Sequence, residues 1–216
     1  MIVADLIDNK SKSLILFFAG WGYDEACVVH LKSSTHDVKV LYDFAELQPF
    51  DLSLLDGYDD ITVVAWSFGV WSANELLQGV ENRINRAIAI NGTLMPIDDL
   101  NGIPEGIFYA TLSSLTEASA KKFQMRVMGG VANYNQNIKY LPRRSFDNQK
   151  SELIWFSEQM VKPLKGNLLW NRALCGTKDA IFPFCNQSNF WGDKCESIDA
   201  PHFLFEKFEF WNDLIN

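Results

Sequence analysis

Cysteine and histidine are scarce in this chain of 216 residues, with four of the first and three of the second. Cys27, Cys175, Cys185 and Cys195 form no C-x-x-C pair, and so few histidines offer no zinc-ligand spacing, so no metal site is expected. Nothing in this pattern calls for disulfides or an oxidising compartment. Long hydrophobic runs are missing too. The Leu14–Ala19 stretch is far too short to span a bilayer, and the opening MIVADLIDNKSKSLILFFAG has no basic leader with an apolar core behind it. The expectation is a soluble, cytoplasmic protein without membrane contact. Positive charge is in deficit: 19 Lys and Arg against 27 Asp and Glu give a net charge of −8, which argues against general nucleic-acid binding. Disordered-linker composition, internal repeats and low-complexity tracts are also lacking, so one domain is expected.

What is present is apolar. Hydrophobic residues make up 48% of the chain and aromatics 13%, enough to build a large core without staples. Short β-type runs recur: Ser13–Ala19, Val38–Phe44, Ile61–Ala65, Arg86–Asn91, Asn167–Cys175 and Cys195–Ile198. Several are almost wholly apolar, the pattern of strands covered on both faces by helices. Helical stretches are read at Val70–Gln78, Ser151–Met160 and Phe203–Ile215. The alternation predicts an α/β fold with a mostly parallel, doubly wound sheet. One long segment breaks the rhythm, from about Thr93 to about residue 150. It holds Pro96, Pro104 and Pro142 and a helical stretch near Leu115–Met128, and it reads as a helical cap inserted between strands. Within it, residues 121–150 carry Lys121, Lys122, Arg126, Lys139, Arg143, Arg144 and Lys150 against Asp147 alone. Seven positive charges less one negative give +6, which leaves −14 for the rest. A basic segment on an acidic body predicts an acidic partner, with a merely solvated face as the alternative.

A serine interrupts the apolar stretch VVAWSFGV. The order strand, small-x-Ser-x-Gly, helix is that of a nucleophile elbow, a turn so tight that residues two away on either side must be small. Ala65 and Gly69 flank Ser67 in this way. Serine nucleophiles need a base, and in elbow sites the acid and then the histidine follow the serine. His30 and His36 precede Ser67; only His202 follows it. The loop CGTKDAIFP after a β-type run offers Asp179 as the acid, with Asp98 and Asp99 as fallbacks. Oxyanion donors are expected from the main chain of Phe68 and, in the glycine-flanked loop FFAGWG, from that of Trp21. The aromatics Trp21, Trp66, Phe68 and Trp71 gather about this site in sequence, either lining an acyl channel or, for Trp66 and Trp71, simply packing the core.

Taken together, FFAGWG, AWSFGVW, INGTLMP, GTKDAIFP and DAPHFLF resemble the BioG family, across nearly the whole chain. Those proteins are pimeloyl-[acyl-carrier protein] methyl ester esterases of bacterial biotin synthesis, with an α/β-hydrolase fold. The resemblance implies a carboxylesterase with Ser67 as nucleophile, Asp179 as acid, His202 as base, and the Trp21 and Phe68 main chains as oxyanion donors. It implies no cofactor. The implied partner is an acyl carrier protein bearing a pimeloyl methyl ester. Lys121, Lys122, Arg126, Arg143 and Arg144 are then the docking candidates, because carrier proteins are strongly acidic. A thioesterase or another esterase on the same fold, or a non-catalytic acyl-binding protein, are the alternatives.

Overall fold

Residues Leu14–Phe18 are wholly buried, as an apolar run must be when a sheet is covered on both faces. They belong to β2 (Ser13–Phe18), which the computed structural model places inside a seven-stranded sheet. The structure describes residues 1–45, 49–166 and 168–216. The other strands are β1 (Ile2–Ile7), β3 (Asp37–Tyr42), β4 (Asp60–Trp66), β5 (Arg86–Ile90), β6 (Arg172–Gly176) and β7 (Cys195–Ile198). Their order is β1-β3-β2-β4-β5-β6-β7. Only β1 runs antiparallel to its neighbour; every other pairing is parallel. The C-terminal ends of β2, β4, β5, β6 and β7 therefore open on one edge of the sheet, the edge where sheets of this kind place their sites.

Seven α-helices are seen among the described residues: α1 (Phe68–Leu76), α2 (Glu105–Ser113), α3 (Glu117–Val127), α4 (Val131–Gln136), α5 (Phe146–Gln159), α6 (Phe184–Trp191) and α7 (Trp211–Ile215). Helices α2 to α5 all lie between β5 and β6. A capping box, with Thr116 and Ser119 bonding each other's main chain, starts α3.

Several boundaries differ from the sequence reading. β1 was not anticipated: none of its residues is buried, and Asp5, paired with Lys39, breaks the apolar pattern. β3 stops at Tyr42 because Asp43 turns to φ +60° and gives its carboxylate to Arg144 and Asn148. The strand expected over Asn167–Cys175 begins only at Arg172. Asn167 lies outside the described residues, and Leu168 donates its N–H to Asn74 of α1 instead of a strand. The helix expected over Ser151–Met160 starts earlier, at the Ser145 cap. No helix fills Phe203–Ile215 as expected. Phe203, Leu204 and Phe205 are all buried in an unbroken run, a 3-10 turn follows over Phe205–Lys207, and regular α-structure waits until Trp211, whose N–H bonds the Lys32 carbonyl at 3.0 Å.

Candidate active site

The β4 strand carries its register straight into the site. Trp66 pairs with Ile90 across the sheet, and the next N–H, that of Ser67, still reaches the Ile90 carbonyl at 2.9 Å. There the backbone reverses. Ser67 sits at φ +58°, ψ −126°, a conformation costing an L-residue on the order of 1–3 kcal/mol. Helix α1 starts at the following residue, which presents the hydroxyl at a helix N-terminus. Gly69 shows why the turn tolerates no side chain there: a Cβ at this position would lie 2.3 Å from the Phe18 carbonyl oxygen.

His202 and Asp179 reach the same place from the ends of β7 and β6. His202 Nδ1 lies 2.8 Å from Asp179 Oδ2, and both residues are buried. The carboxylate is fixed by more than the histidine. Its Oδ1 accepts the N–H groups of Ile181 at 2.7 Å and Phe182 at 2.9 Å, and its Oδ2 also accepts Gln187 Nε2 at 3.1 Å. The imidazole is stacked on the Phe182 ring, with an interplanar angle of 4°. A carboxylate held on one ring nitrogen leaves Nε2 to face the pocket and selects the tautomer that accepts a proton there. Asp98 and Asp99 do other work: Asp98 accepts the N–H groups of Leu100 and Asn101, and Asp99 that of Glu105 at the start of α2.

The sequence reading missed Asn91. Its side-chain N–H₂ donates to the carbonyls of Pro201 (3.1 Å) and His202 (2.8 Å), while its Oδ1 accepts from Gly176 at 2.6 Å. It staples the loop of the histidine to the strand that leads to the aspartate. Trp66 adds a bond from its indole N–H to the His202 carbonyl at 3.0 Å. Trp66 and Trp71 are both buried, yet Trp66 also lines the pocket. The one sequence signal for Asn91 was a polar residue closing the apolar run RAIAIN.

Ser67, Phe68, Gly20, Trp21 and His202 line one pocket, closed on the other side by Ile103, Ile107, Phe108 and Thr111 from the region of α2, and by Phe123, Arg126 and Val127 of α3. Its walls are mostly apolar, and Arg126 is the one Lys, Arg, Asp or Glu among the described lining residues. Among the described residues, no hydrogen bond joins the Ser67 hydroxyl to His202, and no protein acceptor takes the main-chain N–H of Trp21 or Phe68. Nor is there, among them, a cluster of three or more His, Cys, Asp or Glu suited to a metal ion, or a helix long and apolar enough to cross a membrane.

The basic segment divides. Lys121, Lys122 and Arg126 are exposed on α3, Arg126 lying over the Phe123 ring. Arg143 is exposed but engaged with Asp24 and Glu25. Arg144 turns inward, against the expectation that it docks a partner. Its side chain is 7% exposed and pairs with Glu152 and Asp43, each at 2.8 Å. A guanidinium committed to two buried or half-buried carboxylates cannot also meet an outside surface.

The family described as "Pimeloyl-ACP methyl esterase BioG" matches residues 2–214. This chain belongs to the BioG family. The crystal structure of BioG from Haemophilus influenzae is similar to it with a TM-score of 0.90 and 36% identity, over 100% of both chains. A protein of Bacteroides fragilis (strain 638R) named malonyl-[acyl-carrier protein] O-methyltransferase is 39% identical over 195 residues, which are 89% of this chain and 40% of that protein. The chain thus spans less than half the length of that relative. A lipase-esterase related protein from Clostridium acetobutylicum, only 10% identical but with a TM-score of 0.62 over 94% of this chain and 92% of its own, shows that the fold is the α/β-hydrolase fold.

Proposed function

We propose that this protein is a serine carboxylesterase that hydrolyses the methyl ester of a pimeloyl chain carried by acyl carrier protein, in biotin biosynthesis in the cytoplasm. The observation that carries the reading is the strained backbone of Ser67, which lines one mostly apolar pocket together with His202, itself paired with the buried Asp179 behind it. Ser67 Oγ attacks the ester carbonyl carbon as His202 Nε2 takes its proton, a contact that closes once substrate fills the pocket. The oxyanion is met by the N–H groups of Trp21 and Phe68. Methoxide leaves with the proton from His202 as methanol. Water then attacks the acyl-enzyme, giving its proton to His202, which returns it to Ser67. Asp179 holds the imidazole in its tautomer and stabilises the imidazolium.

The ester's identity rests on family membership and on the apolar walls, which suit an aliphatic chain. The exposed Lys121, Lys122 and Arg126 beside the pocket suit an acidic carrier, whose approach they would steer. The methyltransferase name of the Bacteroides relative is compatible with this. Most of that protein lies outside the match, leaving room for methyl transfer elsewhere in it. Adding and removing a methyl group on a carrier-bound acyl chain are opposite steps on related substrates, and a strained serine beside an Asp–His pair serves the removal.

Mass spectrometry of the carrier-bound pimeloyl methyl ester, after incubation with wild type and with Ser67→Ala, tests the proposal. Loss of one CH₂ from the still-acylated carrier, with wild type only, is the expected result. Release of free carrier would make the protein a thioesterase, and turnover by Ser67→Ala would remove Ser67 from the mechanism.

A further inference from the structure

Glu152 is a wholly buried carboxylate that the chemistry above does not use. It stands on α5 and reaches two loops at the active edge of the sheet. Its Oε2 accepts the N–H of Gly22 at 2.8 Å, and its Oε1 accepts the N–H of Phe44 at 2.7 Å. Arg144 Nη1 donates to the same Oε2 at 2.8 Å and lies 3.4 Å from the Tyr23 carbonyl, while its Nη2 reaches Asp43. Burial pushes the Glu152 carboxyl up and the adjacent guanidinium pulls it back.

What this pair grips is the turn Gly20–Tyr23. The Tyr23 N–H bonds the Gly20 carbonyl at 3.1 Å, and Gly22 takes φ +78°, the conformation a type II turn requires at its third residue. In a trans peptide the C=O and N–H point in opposite directions. Fixing the Gly20 carbonyl toward Tyr23 therefore aims the Trp21 N–H outward from the turn. Of the peptides that follow, Trp21–Gly22 is held by Glu152 and Tyr23–Asp24 by Arg144, and the Trp21 indole is held by the Gln149 carbonyl of α5 at 2.7 Å.

We infer that Glu152, with Arg144 as its counter-charge, is a positioning residue that sets the Trp21 N–H as an oxyanion donor. The inference rests on the proposed esterase reading, and it couples the oxyanion loop to a helix of the inserted segment through one buried ion pair. A preorganised donor matters only when the oxyanion forms, so loss of its alignment lowers kcat and leaves substrate binding alone.

The test compares wild type, Glu152→Gln, Arg144→Lys and Ser67→Ala on a soluble short-chain p-nitrophenyl ester. Affinity for a trifluoromethyl ketone, which forms a tetrahedral oxyanion on the enzyme, is measured alongside affinity for a carboxylate product. For Glu152→Gln a fall of about 10- to 100-fold in kcat is expected at nearly constant KM, since losing a whole oxyanion donor costs about 10²–10³-fold. Ketone affinity should fall in parallel while product affinity holds. Arg144→Lys, which keeps the charge but loses the fork, should show the same signature more weakly, and it carries the test if Glu152→Gln does not fold. Folded variants with wild-type kcat and ketone affinity would overturn the inference while leaving an inactive Ser67→Ala to uphold the esterase. An active Ser67→Ala would overturn both.

Discussion

His202 meets Asp179 through Nδ1 at 2.8 Å, and that aspartate also accepts two main-chain N–H groups and the Gln187 amide. The carboxylate is thus held by four donors and has little freedom to turn away. Asp179→Asn keeps the shape but offers the ring an N–H₂ where it needs an acceptor, and should cost about 10³- to 10⁴-fold in kcat. Asp98→Asn and Asp99→Asn should leave kcat essentially unchanged, since both carboxylates serve the turn ahead of α2. Steady-state kinetics on a small ester separates the three. Full activity in Asp179→Asn, or collapse in either neighbour, would reassign the acid.

Strain at Ser67 has a thermodynamic signature. Glycine accepts a positive φ that serine and alanine resist. Ser67→Gly should therefore be more stable than Ser67→Ala by roughly 1 kcal/mol, although both lack the nucleophile. Urea midpoints of the two variants decide it, and equal midpoints would mean the elbow stores no strain.

Charge on α3 should govern recognition and not chemistry. Reversing Lys121 and Lys122, the two exposed α3 lysines outside the pocket lining, to Glu should raise KM for a carrier-bound ester several-fold, mainly through the association rate, while a small ester is hydrolysed as before. Arg144→Glu should instead lose both activities with the fold, because it would bury a carboxylate beside Glu152 and Asp43. A uniform loss in the α3 variant would refute docking there.

His30 predicts a pH dependence of stability. Its Nε2 faces the Phe205 carbonyl at 3.0 Å, and its buried Nδ1 has no partner among the described residues. Burial is the main cause holding its pKa below the usual 6.5. The folded state then binds fewer protons than the unfolded one. Its contribution is fully present above about pH 6.5 and is lost as pH falls through the lowered value. Melting temperature should drop between about pH 7 and 5, and less steeply in His30→Gln. An unchanged slope would point to other groups, His36 among them, whose pKa burial also lowers.

The elbow was legible because it is local. A strand, small residues at fixed offsets and a following helix are all written within Ile61–Leu76. His202 was legible by elimination, since only three histidines exist. Asn91 and Glu152 were not legible, because their meaning lies in partners about 110 and 130 positions away. Arg144 misled for a related reason: a run of basic residues gives charge but not direction, and the carboxylates that turn this one inward are supplied by Asp43 and by the next turns of α5. The C-terminal segment misled because an aromatic-rich stretch fits either period until its packing is known.

The order of the parallel strands along the chain has a consequence for synthesis. Emerging from the ribosome, the chain completes β2, β4, β5 and the serine turn before either β6 or β7 exists. Ser67 then has no His202 beside it. On the proposed mechanism, activity would be switched on last, when the final two strands dock, and a nascent or truncated chain would leave the esters around it untouched.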